Sequence, residues 1–104
     1  MRRFRPNVIS KTVADPNTPE PLSQSADIFM AGIRFIAEKA LGVENVGEVI
    51  IQCRGVDGLL LQPGGSEVWV APTFEAGYYT PDDFYIKVAT AGDGVRVLYS
   101  SLRP

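Results

Sequence analysis

Phe84-Tyr85-Ile86-Lys87-Val88 and Val95-Arg96-Val97-Leu98-Tyr99, joined through Ala91-Gly92-Asp93-Gly94, decide how this chain is read. In the first run Phe84, Ile86 and Val88 share one face while Tyr85 and Lys87 share the other. That is the two-residue period of a strand buried on one side. Two such runs separated by a Gly/Asp turn predict a β-hairpin. Upstream, Val49, Ile51 and Cys53 alternate with Glu48, Ile50 and Gln52 in the same way. Gly55-Val56-Asp57-Gly58 reads as a turn before the apolar run Leu59-Leu60-Leu61. Pro63-Gly64-Gly65 reads as a second turn before the short strand Glu67-Val68-Trp69-Val70, which ends at Pro72.

The first half is less regular. Residues 1–6 read as a flexible arm, and Val8 to Ala14 alternate as a short strand. Pro16, Pro19 and Pro21 then remove backbone donors and fix φ, so this stretch is an extended connector. Ala26 to Leu41 admits two readings. Asp27, Arg34 and Glu38 fall on one helical face with Gly42 placed as a C-cap, whereas a strand would set Ile33, Phe35 and Ala37 against Gly32, Arg34 and Ile36.

With 104 residues, 45% of them hydrophobic and 21% charged, the chain suits one domain with one core. No window approaches the length of a membrane span, and Met1 to Val8 leads into no apolar segment of a secretory signal. Cys53 is the sole cysteine, so no intramolecular disulfide forms, and its phase with Val49 and Ile51 places it as a buried, inert thiol. There is no histidine. The commonest metal ligand and the usual base of serine and cysteine nucleophiles are therefore missing. Asp82-Asp83, the only adjacent acidic pair, points to opposite faces of an extended chain and reads as a solvated turn after Pro81. Pro63-Gly64-Gly65-Ser66 lacks phosphate-loop spacing, and Gly92-Asp93-Gly94 lacks the ligand series of a calcium loop. The sequence assigns no catalytic residue, no metal ligands and no cofactor.

Charge is unevenly distributed. Arg2, Arg3, Arg5 and Lys11 give +4 in the first eleven residues, which hold no acid. With a formal net charge of −2 for the chain, residues 12–104 carry −6. A basic arm on an acidic body predicts docking on an acidic protein surface, with Arg2, Arg3 and Arg5 as anchors and Phe4 as an apolar plug. Nucleic acid is the weaker alternative, since no binding motif accompanies the arm. Trp69, Tyr78, Tyr79 and Tyr85 form a candidate aromatic surface for stacking on sugar rings, set against the commoner use of aromatics in cores and interfaces.

Four segments resemble small β-sandwich virion proteins of tailed bacteriophages: Thr18-Pro19-Glu20-Pro21-Leu22-Ser23, Asn45 to Ile51, Leu61 to Val68, and Asp83 to Ile86 with Gly92 to Tyr99. The resemblance spans roughly residues 18–100 on short motifs built largely of turn residues. It implies that Gly32 to Ala37 is a strand, with Glu38 to Glu44 longer than the pattern and able to hold a helical turn. It also implies a non-enzymatic capsid decoration or cement protein, assembled into virions in the host cytoplasm. Such a protein binds the major capsid protein or other virion proteins and its own copies, with a trimer favoured. A neck or tail component and a carbohydrate-binding, host-attachment domain are the alternatives. The combined expectation is an all-β, jelly-roll-like sandwich of about seven or eight strands over residues 22–104. Residues 1–21 precede it as an arm and proline-rich connector holding a short strand.

Overall fold

A computed structural model describes residues 3–24, 28–39, 44, 46–68 and 79–103, with backbone alone for 3–6, 102 and 103. Among the described residues, eight strands account for nearly all of the regular structure: β1 (Arg3–Thr12), β2 (Glu20–Pro21), β3 (Met30–Lys39), β4 (Val49–Cys53), β5 (Val56–Leu61), β6 (Ser66–Val68), β7 (Phe84–Val88) and β8 (Asp93–Arg103). They form two four-stranded antiparallel sheets, ordered β1-β8-β3-β6 and β2-β7-β4-β5. Successive strands cross to the opposite sheet everywhere except between β4 and β5, which is the strand order of a jelly roll.

The predicted all-β sandwich is therefore present, but two of its connections differ from expectation. β7 lies in the second sheet and β8 in the first, so Ala89 to Gly92 is an arch between sheets and not a hairpin turn. Alternation and a Gly/Asp turn are common to both arrangements, since each strand buries one face either way. The true hairpin joins β4 to β5 through Arg54 and Gly55, both at positive φ (54° and 85°), with Cys53 opposite Val56. This is the pattern of a tight two-residue turn. The turn expected at Gly55 to Gly58 is thus one residue pair earlier, and Val56 already belongs to β5. Gly58 is the additional residue of a bulge, because pairing runs Ile51↔Leu59 and then Gln52↔Asp57.

The N-terminal segment also departs from the expected arm. β1 starts at Arg3 and pairs with β8 along its whole length, from Arg3↔Arg103 to Thr12↔Gly94. The connector then carries Glu20 and Pro21 into the second sheet as β2, beside β7. Residues 3–21 therefore supply two of the eight strands, and the sandwich does not begin at residue 22. Between Met30 and Lys39 the strand alternative is the one found. Ile33, Phe35 and Ala37 are buried while Arg34 is exposed and Ile36 half-buried, with a bulge at Gly32. Residues 40–43 of the long connection lie outside the described residues.

The core fills the space between the sheets. Phe35 of the first sheet meets Phe84 of the second edge-to-face at 5.2 Å, and Tyr79 packs on Phe84 at 5.3 Å. Met30, Ile33, Val49, Ile51, Leu61, Ile86, Val88, Val95 and Val97 complete a continuous apolar cluster. Cys53 packs against it half-buried, so the expected burial of the thiol is partial.

One end of the sandwich is closed by Asp93, which is wholly buried. Its Oδ1 accepts from Lys39 Nζ at 2.7 Å and its Oδ2 from the Gly47 N–H at 3.0 Å, while its carbonyl accepts from the Val13 N–H at 3.0 Å. The ends of β1 and β3 and the approach to β4 thus meet on one arch residue. The neighbouring glycines permit this. A Cβ on Gly94 would sit 1.9 Å from the Lys11 carbonyl oxygen, and one on Gly47 would sit 2.6 Å from Thr90 Oγ1. Because the obstruction at Gly94 is backbone, Gly94→Ala is expected to cost about 3 kcal/mol or more, at or above the top of the usual overpacking range. Urea midpoints measure the loss, and hydrogen exchange should place the lost protection first in β1.

Candidate interaction surfaces

Phe35, Phe84, Met30 and Ile33 are buried between the sheets, and the surfaces considered next lie on their outer faces. On the outer face of the first sheet, register places Val8, Leu98, Arg34 and Val68 in one row across all four strands. Val8 is 56% exposed and Val68 55%. The adjacent row reads Ser10, Arg96, Ile36 and Ser66. Arg34 donates to Ser66 Oγ at 3.2 Å, and Arg96 Nε stands 3.5 Å from Glu38 Oε1 without a hydrogen-bond partner. The face thus sets Val8, Leu98 and Val68 in a row that Arg34 interrupts, with Arg96 in the next row, a mix of apolar and guanidinium groups typical of protein contact surfaces.

The second sheet presents Leu60, Ile50 and Lys87 in one row and Gln52, Tyr85 and Pro21 in the next. The bulge at Gly58 opens a cavity of about 230 Å³ there, lined by Ile50, Asp57, Gly58, Leu59 and Leu60. Asp57 is held by Gln52 Nε2 at 2.8 Å.

At the far end, the β4–β5 turn locks onto the segment before β7. The Arg54 N–H donates to the Asp83 carbonyl at 2.7 Å, its Nε to Asp83 Oδ1 at 3.2 Å, and its guanidinium lies 5.5 Å from the Tyr79 ring centroid. Pro81–Asp83 forms a single 3-10 turn, in which the Thr80 N–H donates to Asp83 Oδ2 at 2.9 Å. Asp82 stays exposed, but the acidic pair does not point to opposite faces as expected: the 3-10 turn brings both carboxylates to the Thr80 hydroxyl, Asp82 through Oδ1 and Asp83 through Oδ2 at 3.3 Å. Burial by itself would raise the Asp83 carboxyl, but the Thr80 N–H and the Arg54 guanidinium outweigh it and hold the group below its ordinary value. Burial pushes the Cys53 thiol up, with Arg54 opposing and Asp83 reinforcing, which keeps it from the reactive thiolate form.

The candidate residues named from sequence separate widely. Tyr79 is buried at 6% exposure, with its ring in the core cluster, so it cannot stack on a sugar. Tyr85 is exposed on the second sheet. Trp69 and Tyr78 lie outside the described residues, as does Arg2. Arg3, Phe4 and Arg5 are backbone-paired in β1 opposite Arg103, Leu102 and Ser101. The row of Val8, Leu98, Arg34 and Val68 was missed, because it exists only once the order of the strands is known. Among the described residues, no group of three or more His, Cys, Asp or Glu could hold a metal ion. No family model, curated protein or solved structure matches the chain.

The Asp83 contacts carry a pH dependence. A carboxyl held lower when folded contributes stability above its unfolded value near 3.9, and loses it as pH falls through the folded value. Asp83→Asn should therefore lower the urea midpoint at pH 7, and the gap to the wild type should narrow on acidification below about pH 4. A gap independent of pH would mean that the charge contributes nothing.

Proposed function

We propose that this chain is a non-enzymatic structural subunit of a tailed-bacteriophage particle, a decoration or cement protein that binds the capsid shell and copies of itself. The observation that carries the reading is the outward row of Val8, Leu98, Arg34 and Val68 across the first sheet, with Val8 and Val68 more than half exposed. A protein that binds small molecules needs a concave site with convergent polar groups, whereas one that binds protein needs an outer face of this kind. The jelly-roll order supports the same reading by analogy, since capsid domains use it, as lectin domains do. The short motifs shared with phage β-sandwich proteins supply the particular assembly.

On this account the partners are the major capsid protein or other virion proteins, and the protein works within the virion after assembly in the host cytoplasm. Weak contacts are multiplied by the many copies on a shell, so no single contact needs to be tight. A position at the neck or tail would use the same surface. The host-attachment alternative has lost Tyr79 to the core and rests, among the described residues, on Tyr85 alone.

Val8→Glu combined with Val68→Glu tests the reading. Both positions are more than half exposed, so the fold should survive with little change in thermal midpoint. Retention on purified shells of the major capsid protein, measured by co-sedimentation, should fall about tenfold or more. Undiminished retention of the double variant, or no retention of the wild type, would overturn it.

A further inference from the structure

Of Lys11, Lys39 and Lys87, the first two are neutralised, by Glu20 at 3.0 Å and by Asp93 at 2.7 Å. Lys87, half-buried on the outer face of the second sheet, has no acidic partner among the described residues. On the same face Asp57 is exposed, and its Oδ1 accepts from the neutral Gln52 amide at 2.8 Å. The two charges do not meet within one copy. In the order β2-β7-β4-β5, Lys87 stands on one side of β4 and Asp57 on the other. Their strands are about 10 Å apart at the usual spacing, with Ile50 between them. The cavity of about 230 Å³ lies on the Asp57 side, walled by Ile50, Leu59 and Leu60. That is below the roughly 300–1,000 Å³ of small-molecule sites, and suits one side chain.

We infer that two copies pair through the outer faces of their second sheets, each seating Lys87 in the other's cavity against Asp57. A lysine matches this cavity, with an apolar stem for Ile50, Leu59 and Leu60 and an ammonium at its end for the carboxylate. Gln52 already holds one Asp57 oxygen, so a point-charge ammonium suits the site better than a guanidinium, which takes both. The face carries both halves of the contact on opposite sides of β4, so a two-fold axis near β4 brings each Lys87 over the other copy's β5. Two-fold contacts are self-complementary: where one residue meets a second, the second meets the first. Around the pair, Leu60 at 50% exposure, Tyr85 at 37% and the half-buried Ile50 supply apolar area for two copies to cover. Glu48, held by Gln62 at 3.3 Å, lies at the end of the face. The outer face of the first sheet lacks this match, because its outward acid Glu38 is already taken by Arg96.

This inference rests on the structural-subunit reading and assigns its self-association to the face opposite the row of Val8 and Val68. Its test is solution mass by analytical ultracentrifugation across a dilution series of the full chain, up to about 500 µM. The wild type should reach dimer mass and no higher, and dissociate as sodium chloride rises from about 0.05 to 0.5 M. Lys87→Glu and Asp57→Lys should each weaken association about tenfold or more, since each sets like charges together twice. An equimolar mixture of the two variants should recover the dimer, because the mixed pair holds one native contact and one reversed contact. Thermal midpoints establish that both variants fold. Should Asp57→Lys fold poorly, Asp57→Asn keeps an acceptor for Gln52 and should still weaken association about threefold or more. A wild type that stays monomeric or forms trimers, variants that associate as the wild type does, or a mixture of folded variants that stays monomeric would each overturn the face pairing. Retention on capsid shells is read separately, so loss of pairing with retention intact leaves the subunit reading standing.

Discussion

Everything at one end of this sandwich depends on a single buried carboxylate. Asp93 is inaccessible to water, and an uncompensated charge there would be severely unfavourable. It is compensated by the Lys39 ammonium from the first sheet and by the Gly47 N–H at the entrance to the second. Its own backbone fixes the end of β1 through Val13. The arch from β7 to β8 can cross between sheets because this residue supplies bonds in three directions, and because Gly94 lets β1 come close. A hydrophobic core alone would hold two sheets together without fixing where they meet. The Asp93 network gives them a unique relative position.

Much of the fold was legible in the amino-acid sequence. Alternation at Val49 and Ile51, at Phe84 to Val88 and at Val95 to Tyr99 reported one buried face, and the structure buries those positions. The partition of strands between sheets was not legible. A hairpin and an arch share turn chemistry, and the distinction rests on Asp93, whose partners Lys39 and Gly47 are 54 and 46 residues away in the chain. In isolation Asp93 reads as an ordinary polar turn residue. Gly55 was legible as a turn residue, but Arg54 escaped notice for a local reason: arginine rarely takes positive φ, and here Asp83 and Tyr79 hold it there.

The surfaces were legible only in part. The charge imbalance of the first residues could be counted, but not that they form a paired edge strand. An arm and an edge strand have the same composition and different consequences. A free arm wraps a partner, whereas this segment is paired with β8 along its length. Aromatic residues misled for the converse reason. Tyr79 has the composition of a binding surface, and its position against Phe84 makes it part of the core. Surfaces made of adjacent strands cannot be read along the chain, because Val8, Leu98, Arg34 and Val68 fall into one row only in the folded sheet.

The claim that the ion pair of buried Asp93 with half-buried Lys39 fixes the meeting of the two sheets is tested most directly by a double-mutant cycle on Asp93 and Lys39. Stabilities of the wild type, Asp93→Ala, Lys39→Met and the double variant would be measured by urea unfolding at pH 7. The account predicts that Lys39→Met, which leaves the buried Asp93 carboxylate without its cation, costs about 3–5 kcal/mol and that the two residues couple by about 2 kcal/mol or more. Additive effects, with coupling below about 0.5 kcal/mol, would contradict it and leave the arch held by packing alone.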